Sequence, residues 1–369
     1  MRVLVTGSKG FIGKNLVSEL KNRNGYEIFE CDVDTSDEQL KAFAKECDFV
    51  FHLAGINRPE KVEEFMEGNY GFTTKLLGYL IESGNKAPVL VSSSIQAVLD
   101  NDYGKSKKAC EDYLIAYGKE QGVKTYVFRL PNVYGKWCRP NYNSAIATFC
   151  NNITRGLEIK VNNRDTLMTL VYIDDVVNAF INASNGICFT DNGYCKVPVE
   201  DKITLGEIVD LLYSFKESRQ TLSLPDMNRG VVKKLYSTYL SYLPEDDFSY
   251  ELRMNVDQRG SFTEFLRTDG QGQVSVNISK PGIVKGNHWH HTKNEKFLVV
   301  KGEGIIRFRK VGDDKVIEYK VSGSKLEVVD IPCGYTHNIE NVGDDDMVTV
   351  MWANEPFNKD CPDTFYEEV

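Results

Sequence analysis

The hydrophobic period of this chain changes once, at Tyr242-Leu-Pro244-Glu-Asp-Asp247. Before that point, short apolar runs alternate with segments whose apolar residues recur at helical spacing; beyond it, apolar residues recur at every second position. Strands alternating with helices specify a doubly wound parallel sheet covered on both faces, whereas consecutive period-two strands with Gly and Asp turns specify an all-β unit. One domain cannot satisfy both patterns. Two domains are therefore expected, residues 1–243 and 247–369, each long enough to bury its own core.

The first half opens with an apolar run, Arg2-Val-Leu-Val-Thr6, that ends in Gly7-Ser-Lys-Gly10-Phe11-Ile12-Gly13 and continues as an amphipathic helix. Strand, glycine-rich turn and helix begin a βαβ unit, in which glycines let the backbone approach a pyrophosphate and the first helical turn offers unpaired N–H groups. A second strand, Glu27-Ile-Phe-Glu-Cys31, leads to Asp32, at about the spacing where an acid meets an adenosine ribose; capping a turn is the competing role. His52, the one histidine of this half, is expected to be buried and hydrogen-bonded in a structural role.

Tyr103 and Lys107 stand four residues apart on a predicted helix, so phenol and ammonium share one face a turn apart. A nearby ammonium lowers a phenol's pKa and favours proton transfer near neutrality. Nineteen tyrosines give about one or two Tyr-x3-Lys matches by chance, so the position after the fourth strand carries the assignment.

The second half contains three of the five histidines in one segment, Gly282-Ile-Val-Lys285-Gly-Asn-His288-Trp-His290-His-Thr-Lys-Asn-Glu295. On an extended strand, His288 and His290 point the same way. Glu295 returns beyond a short turn, and His337 follows the Pro332-Cys-Gly334 turn. Three imidazoles and a carboxylate suit zinc or another divalent metal, iron, manganese and nickel included.

A net charge of −9 argues against a nucleic-acid or anionic-membrane partner. Nine cysteines without close pairing suggest reduced thiols, and no run reaches the roughly 18 apolar residues of a membrane span. The start of the chain lacks the apolar core of a signal peptide, so a cytoplasmic protein is expected.

These residues carry resemblances. Gly7, Gly10 and Gly13, the turn Leu53-Ala54-Gly55, and the Tyr103/Lys107 pair resemble the extended short-chain dehydrogenase/reductase family, especially its nucleotide-sugar members. That resemblance implies a Rossmann-type fold with Ser94 as the partner hydroxyl and Ser93 as its understudy. Dinucleotide contacts would come from Gly7, Gly10, Phe11, Ile12, Gly13, Asp32, Ala54, Gly55 and Lys107. Asn132, in Arg129-Leu-Pro131-Asn132-Val-Tyr134-Gly135, and Arg164 would bind the sugar nucleotide. Gly282 to Gly302 and Pro332 to Asn341 resemble the two cupin motifs, with Leu326 where a glycine is usual. The cupin resemblance implies a small β-barrel with a metal held by His288, His290, Glu295 and His337. Asp257 to Glu264, with Asn277, Ser279 and Lys285, resembles the cupin 4-ketose epimerases, which generally lack a metal; Lys285, His291 and Tyr335 are the candidate bases.

Together the two halves resemble bacterial capsular-polysaccharide enzymes that epimerise and reduce a UDP-linked 2-acetamido-2,6-dideoxy-4-hexulose. The resemblance implies NADPH, with NADH possible on the charge of Asp32, and a homodimer. A reductase whose cupin is a metal-stapled dimerising module and a non-enzymatic dinucleotide sensor are the alternatives; the sensor has no need of Tyr103 and Lys107.

Overall fold

The computed structural model describes all residues except Asp269, Gln271 and Cys361. Contacts divide it into two units, Met1–Tyr213 with Lys234–Pro244, and Ser214–Lys233 with Glu245–Val369. The chain thus crosses between units inside a helix, and Ser214–Lys233 belongs with the second half. That segment carries a strand paired to the second unit's sheet, an attachment with no period-two signal to announce it.

In the first unit the order is β1 (Arg2–Thr6), α1 (Phe11–Asn22), β2 (Glu27–Cys31), α2 (Asp37–Glu46), β3 (Phe49–His52), α3 (Phe72–Ser83), β4 (Val89–Ser94), α4 (Asp102–Gln121) and β5 (Thr125–Leu130). There follow β6 (Asn132–Tyr134), α5 (Ala145–Thr154), β7 (Leu167–Tyr172), α6 (Ile173–Ser184), β8 (Phe189–Asp191), β9 (Tyr194–Lys196), β10 (Asp201–Thr204) and α7 (Leu205–Thr221). The main sheet runs β2-β1-β3-β4-β5-β9-β8, parallel except for β8, with a small sheet β10-β7-β6 beside it. Leu16 and Leu20 of α1 and Phe180 of α6 fill the core on one face; Leu40, Leu77 and Leu114 of α2, α3 and α4 fill the other. Each such leucine contributes about 1.5–3 kcal/mol by burial. Strand order reverses at β1, so the carboxyl ends of β1 and β3 open a crevice where ligands of such sheets bind. Thr204 caps α7 as its sequence predicts, with the Glu207 amide donating to Thr204 Oγ1 and the Thr204 amide to the Glu207 carboxylate.

The second unit contains β11 (Ser223–Leu224), α8 (Gly230–Leu240), whose later residues rejoin the first unit, and then, among the described residues, strands as its only regular elements. These are β12 (Asn255–Asp257), β13 (Gly260–Thr268), β14 (Gly272–Ser279), β15 (Val284–Trp289), β16 (Glu295–Lys301), β17 (Glu303–Lys310), β18 (Val316–Ser322), β19 (Val328–Ile331), β20 (Tyr335–Asn341), β21 (Met347–Ala353) and β22 (Phe365–Tyr366). One sheet has the order β11-β13-β14-β21-β16-β19, with β12 also on β13; the other has β18-β17-β20-β15-β22. Among the described residues these ladders remain two sheets and do not close into one ring. Phe297 and Val299 of β16, Ile306 and Phe308 of β17, and Ile339 of β20 form the apolar core between them.

Candidate functional site

Gly7 sits at φ +68°, and a Cβ there would lie 2.8 Å from the Ala54 amide nitrogen. At Gly13 a Cβ would lie 2.0 Å from the Gly7 carbonyl oxygen. Turn and helix can therefore close this tightly only with glycine, and α1 starts at Phe11 and Ile12 without a side-chain cap on its free amides. Free amides at a helix start behind a glycine turn could hold an anion such as a pyrophosphate. Asp32 stands at the end of β2 beside this turn. Its carboxylate accepts from the Lys9 amide (2.7 Å) and the Val33 amide (2.9 Å), and its own carbonyl accepts from the Thr35 amide, so it caps the turn. Lys9 Nζ pairs with Asp34 at 2.5 Å.

Strand β4 ends at Ser94, and α4 begins after the Asn101 side chain accepts from the Gly104 amide (2.7 Å). At Gly104 a Cβ would lie 2.4 Å from Gln96 O, so the helix start seats directly on the turn that follows Ser94. This sets Ser94 near Tyr103. Burial raises the phenol's pKa, and the nearby Ser94 hydroxyl partly offsets that rise. The lowering of Tyr103 expected from Lys107 is not found: the ammonium lies 6.0 Å from the ring centroid and is itself buried, which lowers its own pKa. Lys107 Nζ instead donates to Ser92 O (3.3 Å) and lies against Gly55, where a Cβ would come within 2.9 Å of it.

Ser93 is no substitute for Ser94. Its hydroxyl donates to buried Glu111 (2.6 Å), which also receives two bonds from Arg129, at 2.9 and 2.6 Å. Asn132 Nδ2 donates to Thr169 O (3.2 Å) and holds β6 on β7. Arg164 is turned onto Asp210 of α7, with Nη2 2.7 Å from both carboxylate oxygens, and this pair is exposed. His52 has the structural role expected of it: Thr6 and Thr73 hydroxyls lie 2.8 Å from its two ring nitrogens, and burial pushes its pKa down to about 3.

In the second unit β15 carries a bulge between Gly286 and His288, with Asn287 at φ 57°. The bulge sets His288 opposite His337 of β20, with ring centroids 4.6 Å apart, while His288 and His290 lie 4.9 Å apart. Glu295 enters from the other sheet, its Oε2 3.6 Å from His290 Nε2 and 3.4 Å from His337 Nε2. One ligand atom from each of His288, His290, Glu295 and His337 falls within 4.8 Å of the others.

The tautomers follow from the partners. His290 Nδ1 donates to the Asp363 carbonyl and His337 Nδ1 faces the Tyr335 carbonyl at 3.5 Å, which leaves both Nε2 atoms as lone pairs. Both are buried and have no hydrogen-bond partner among the described residues. Burial alone would raise the Glu295 carboxyl, and the Lys293 ammonium 3.2 Å away favours its ionised form. Unpaired buried nitrogens beside an ionised carboxylate fit a divalent cation.

The cluster opens into a cavity of about 460 Å³ whose walls include Phe262, Glu264, Asn277, Lys285 and Met351. Lys285 Nζ donates to Asn277 Oδ1 and Ile278 O, both at 2.8 Å, and burial lowers its pKa. His291 and Tyr335 are not among the residues that line this cavity. Sequence reasoning missed Glu111, Lys293 and Asp363. The Asp363 carboxylate accepts from the amides of His291, Thr292 and Lys293 (2.8, 2.7 and 2.9 Å) and fixes the turn between two ligands.

Comparison with known proteins follows this division. Residues 3–186 match the NAD dependent epimerase/dehydratase family, and residues 255–365 match the polysaccharide biosynthesis C-terminal domain. The chain is 46% identical over 365 residues to a protein of Pseudomonas aeruginosa named UDP-2-acetamido-2,6-beta-L-arabino-hexul-4-ose reductase, covering 99% of this chain and 98% of that one. Its structure is similar along the full length of both chains to the capsular polysaccharide assembling protein CapF from Staphylococcus aureus (57% identity, TM-score 0.95). It is likewise similar, over both full lengths, to CapF with the inhibitor 3-isopropenyl-tropolone (52%, TM-score 0.91). With full-length coverage, the chain belongs to this family of capsular-polysaccharide nucleotide-sugar enzymes, in which an epimerase/dehydratase domain precedes a polysaccharide biosynthesis C-terminal domain.

Proposed function

We propose that the chain is a cytoplasmic, homodimeric, bifunctional enzyme of capsular polysaccharide precursor synthesis. Its second unit, a metal cupin, inverts C3 of a UDP-2-acetamido-2,6-dideoxy-4-hexulose, and its first unit reduces the C4 ketone with NADPH. The observation that carries this reading is the pairing, in one chain, of a buried Tyr103 and Lys107 one helical turn apart after β4 with a four-residue His/Glu cluster that opens into a cavity. A near-equilibrium epimerisation is drawn forward by the exergonic reduction.

In the first unit the bound dinucleotide supplies a hydride. Tyr103, kept neutral by burial, donates its phenolic proton to the ketone oxygen as charge develops there. Ser94 would orient the carbonyl, and Lys107, buried against Gly55, would hold the nicotinamide ribose. Asp32 opposes a 2′-phosphate, and the Lys9 ammonium beside it is paired with Asp34; kcat/KM with NADPH against NADH reads which cofactor the site prefers.

In the second unit His288, His290, Glu295 and His337 would hold the divalent metal, which polarises a carbonyl and favours the negative charge left when the neighbouring C–H loses its proton. Lys285 carries the proton at Nζ: burial lowers its pKa toward the working range, and Asn277 holds it in position.

The test incubates the full-length Tyr103→Phe variant with the 4-keto sugar nucleotide in D2O without reduced cofactor. Deuterium is expected at C3, with exchange lost in His290→Ala and reduction lost in Tyr103→Phe. No deuterium with either wild type or Tyr103→Phe would remove the epimerase and leave a single-activity reductase whose metal braces the second unit.

A further inference from the structure

Strand β14 breaks the rule that the inward face of a sheet is apolar. Gln273, Ser275 and Asn277 all face the cavity, and all are buried. Their register places Glu264 of β13 and Met351 of β21 on either side of Ser275.

Most of this polar row is already satisfied. Gln273 Oε1 accepts from the Phe357 amide (3.4 Å), Asn277 bonds Lys285 and Ser279, and both Glu264 oxygens are taken by Arg267. Ser275 differs. Its side chain is 1% exposed, it lines the cavity, and its hydroxyl has no partner among the described residues. A buried hydroxyl left unpaired costs stability, so a group that meets it from the cavity recovers that cost on binding.

The surroundings select the group. A ring hydroxyl brings a donor and two acceptor sites and no group that gains from apolar walls. An acetamido group has the same capacity, an N–H donor and a carbonyl acceptor, but adds a methyl that needs apolar surface, and the methyl is what the apolar neighbours can select. Ser275 supplies the donor, and Met351, Phe297 and Ala353 on the same face supply the surface.

We propose that Ser275 is a specificity residue of the second unit, donating to the carbonyl of the 2-acetamido group of a nucleotide sugar while Met351 takes its methyl. This rests on the reading of the cavity as the site of a 2-acetamido-4-hexulose, and it is tested by binding, so that the two can fail separately.

Full-length wild type and Ser275→Ala are titrated with UDP-N-acetylglucosamine and UDP-glucose as unreactive probes, by saturation transfer to the sugar protons and, for the acetamido probe, to the acetyl methyl. The first unit is the same in both proteins, so a difference between them belongs to the second. Expected is a loss of about tenfold in affinity for the acetamido probe at the second site and no change for the hydroxyl probe. Ser275→Thr, which keeps the hydroxyl, is expected to retain preference for the acetamido probe. Equal affinities of wild type and Ser275→Ala for the acetamido probe overturn the proposal, as does an equal loss for both probes. An expected binding pattern with no deuterium exchange in wild type sinks the epimerase and leaves Ser275 as the residue that reads the acetamido group.

Discussion

Both units bury imidazoles, and the difference lies in how the ring nitrogens are partnered. His52 has a threonine hydroxyl 2.8 Å from each nitrogen and is complete without any ligand. His290 and His337 each direct Nδ1 at a backbone carbonyl and leave Nε2 buried, unpaired among the described residues and facing Glu295. Burial is therefore no guide to function by itself. A histidine with both nitrogens satisfied is structural; one held by its far nitrogen with the other left open is set up to ligate.

The largest expected effect breaks the open set. His290→Ala should abolish stoichiometric metal, measured by elemental mass spectrometry, and slow C3 exchange by about a hundredfold or more, since metal polarisation contributes several kcal/mol. Reduction of a substrate supplied already epimerised should be unaffected. If metal content is retained, the contrast with His52 collapses.

Next comes the buried ion pair of the first unit. Arg129→Leu leaves Glu111, whose side chain is fully buried, without its cation, and should cost about 3–5 kcal/mol in urea unfolding. Asp363→Ala removes the acceptor for three amides of the ligand-bearing turn and should weaken metal affinity about 10–100-fold, read by competition with a chelator.

His52 sharpens the comparison through pH. Its folded pKa of about 3 lies below the 6.5 of an exposed imidazole, so the unfolded chain takes up the proton first as pH falls. Stability from this group is full above about pH 6.5 and is lost as pH falls toward 3, by up to about 1.4 kcal/mol per pH unit. Urea unfolding at pH 7.5 and 5.5 should show a steeper acid loss in wild type than in His52→Asn; equal losses would remove this account of the residue. The smallest effect is expected at Arg164. Its pair with Asp210 is exposed on both sides, so Arg164→Ala should change stability by no more than about 1 kcal/mol and leave the substrate KM nearly unchanged; a large rise in KM would return the arginine to the binding site.

Much of each site was legible because the signals are local. Gly7, Gly10 and Gly13 follow a strand, Tyr103 and Lys107 lie one helical turn apart, and His288 and His290 alternate on a strand; each spacing is tied to a secondary-structure period. His337 was reachable because its turn marks a second hairpin. Glu111, Asp363 and Ser275 had no such mark. Glu111 lies on α4 and reaches β4 and β5, Asp363 follows the last long strand by ten residues, and Ser275 is one polar residue in a period-two strand that already reads as β. Lys107 illustrates the same limit: spacing placed it beside Tyr103 but did not reveal that burial governs both groups.

By itself the sequence determined the class of each half, the glycine turn, and which residue types could acquire chemistry, because periodicity and turn chemistry act over a few residues. Only the tertiary structure decided who partners whom: Ser93 with Glu111, Asp32 with the Lys9 amide, Arg164 with Asp210, and His288, His290, Glu295 and His337 gathered within 4.8 Å. Those choices depend on contacts between residues tens of positions apart, and they are fixed by which buried polar atoms can be satisfied once the strands are in register.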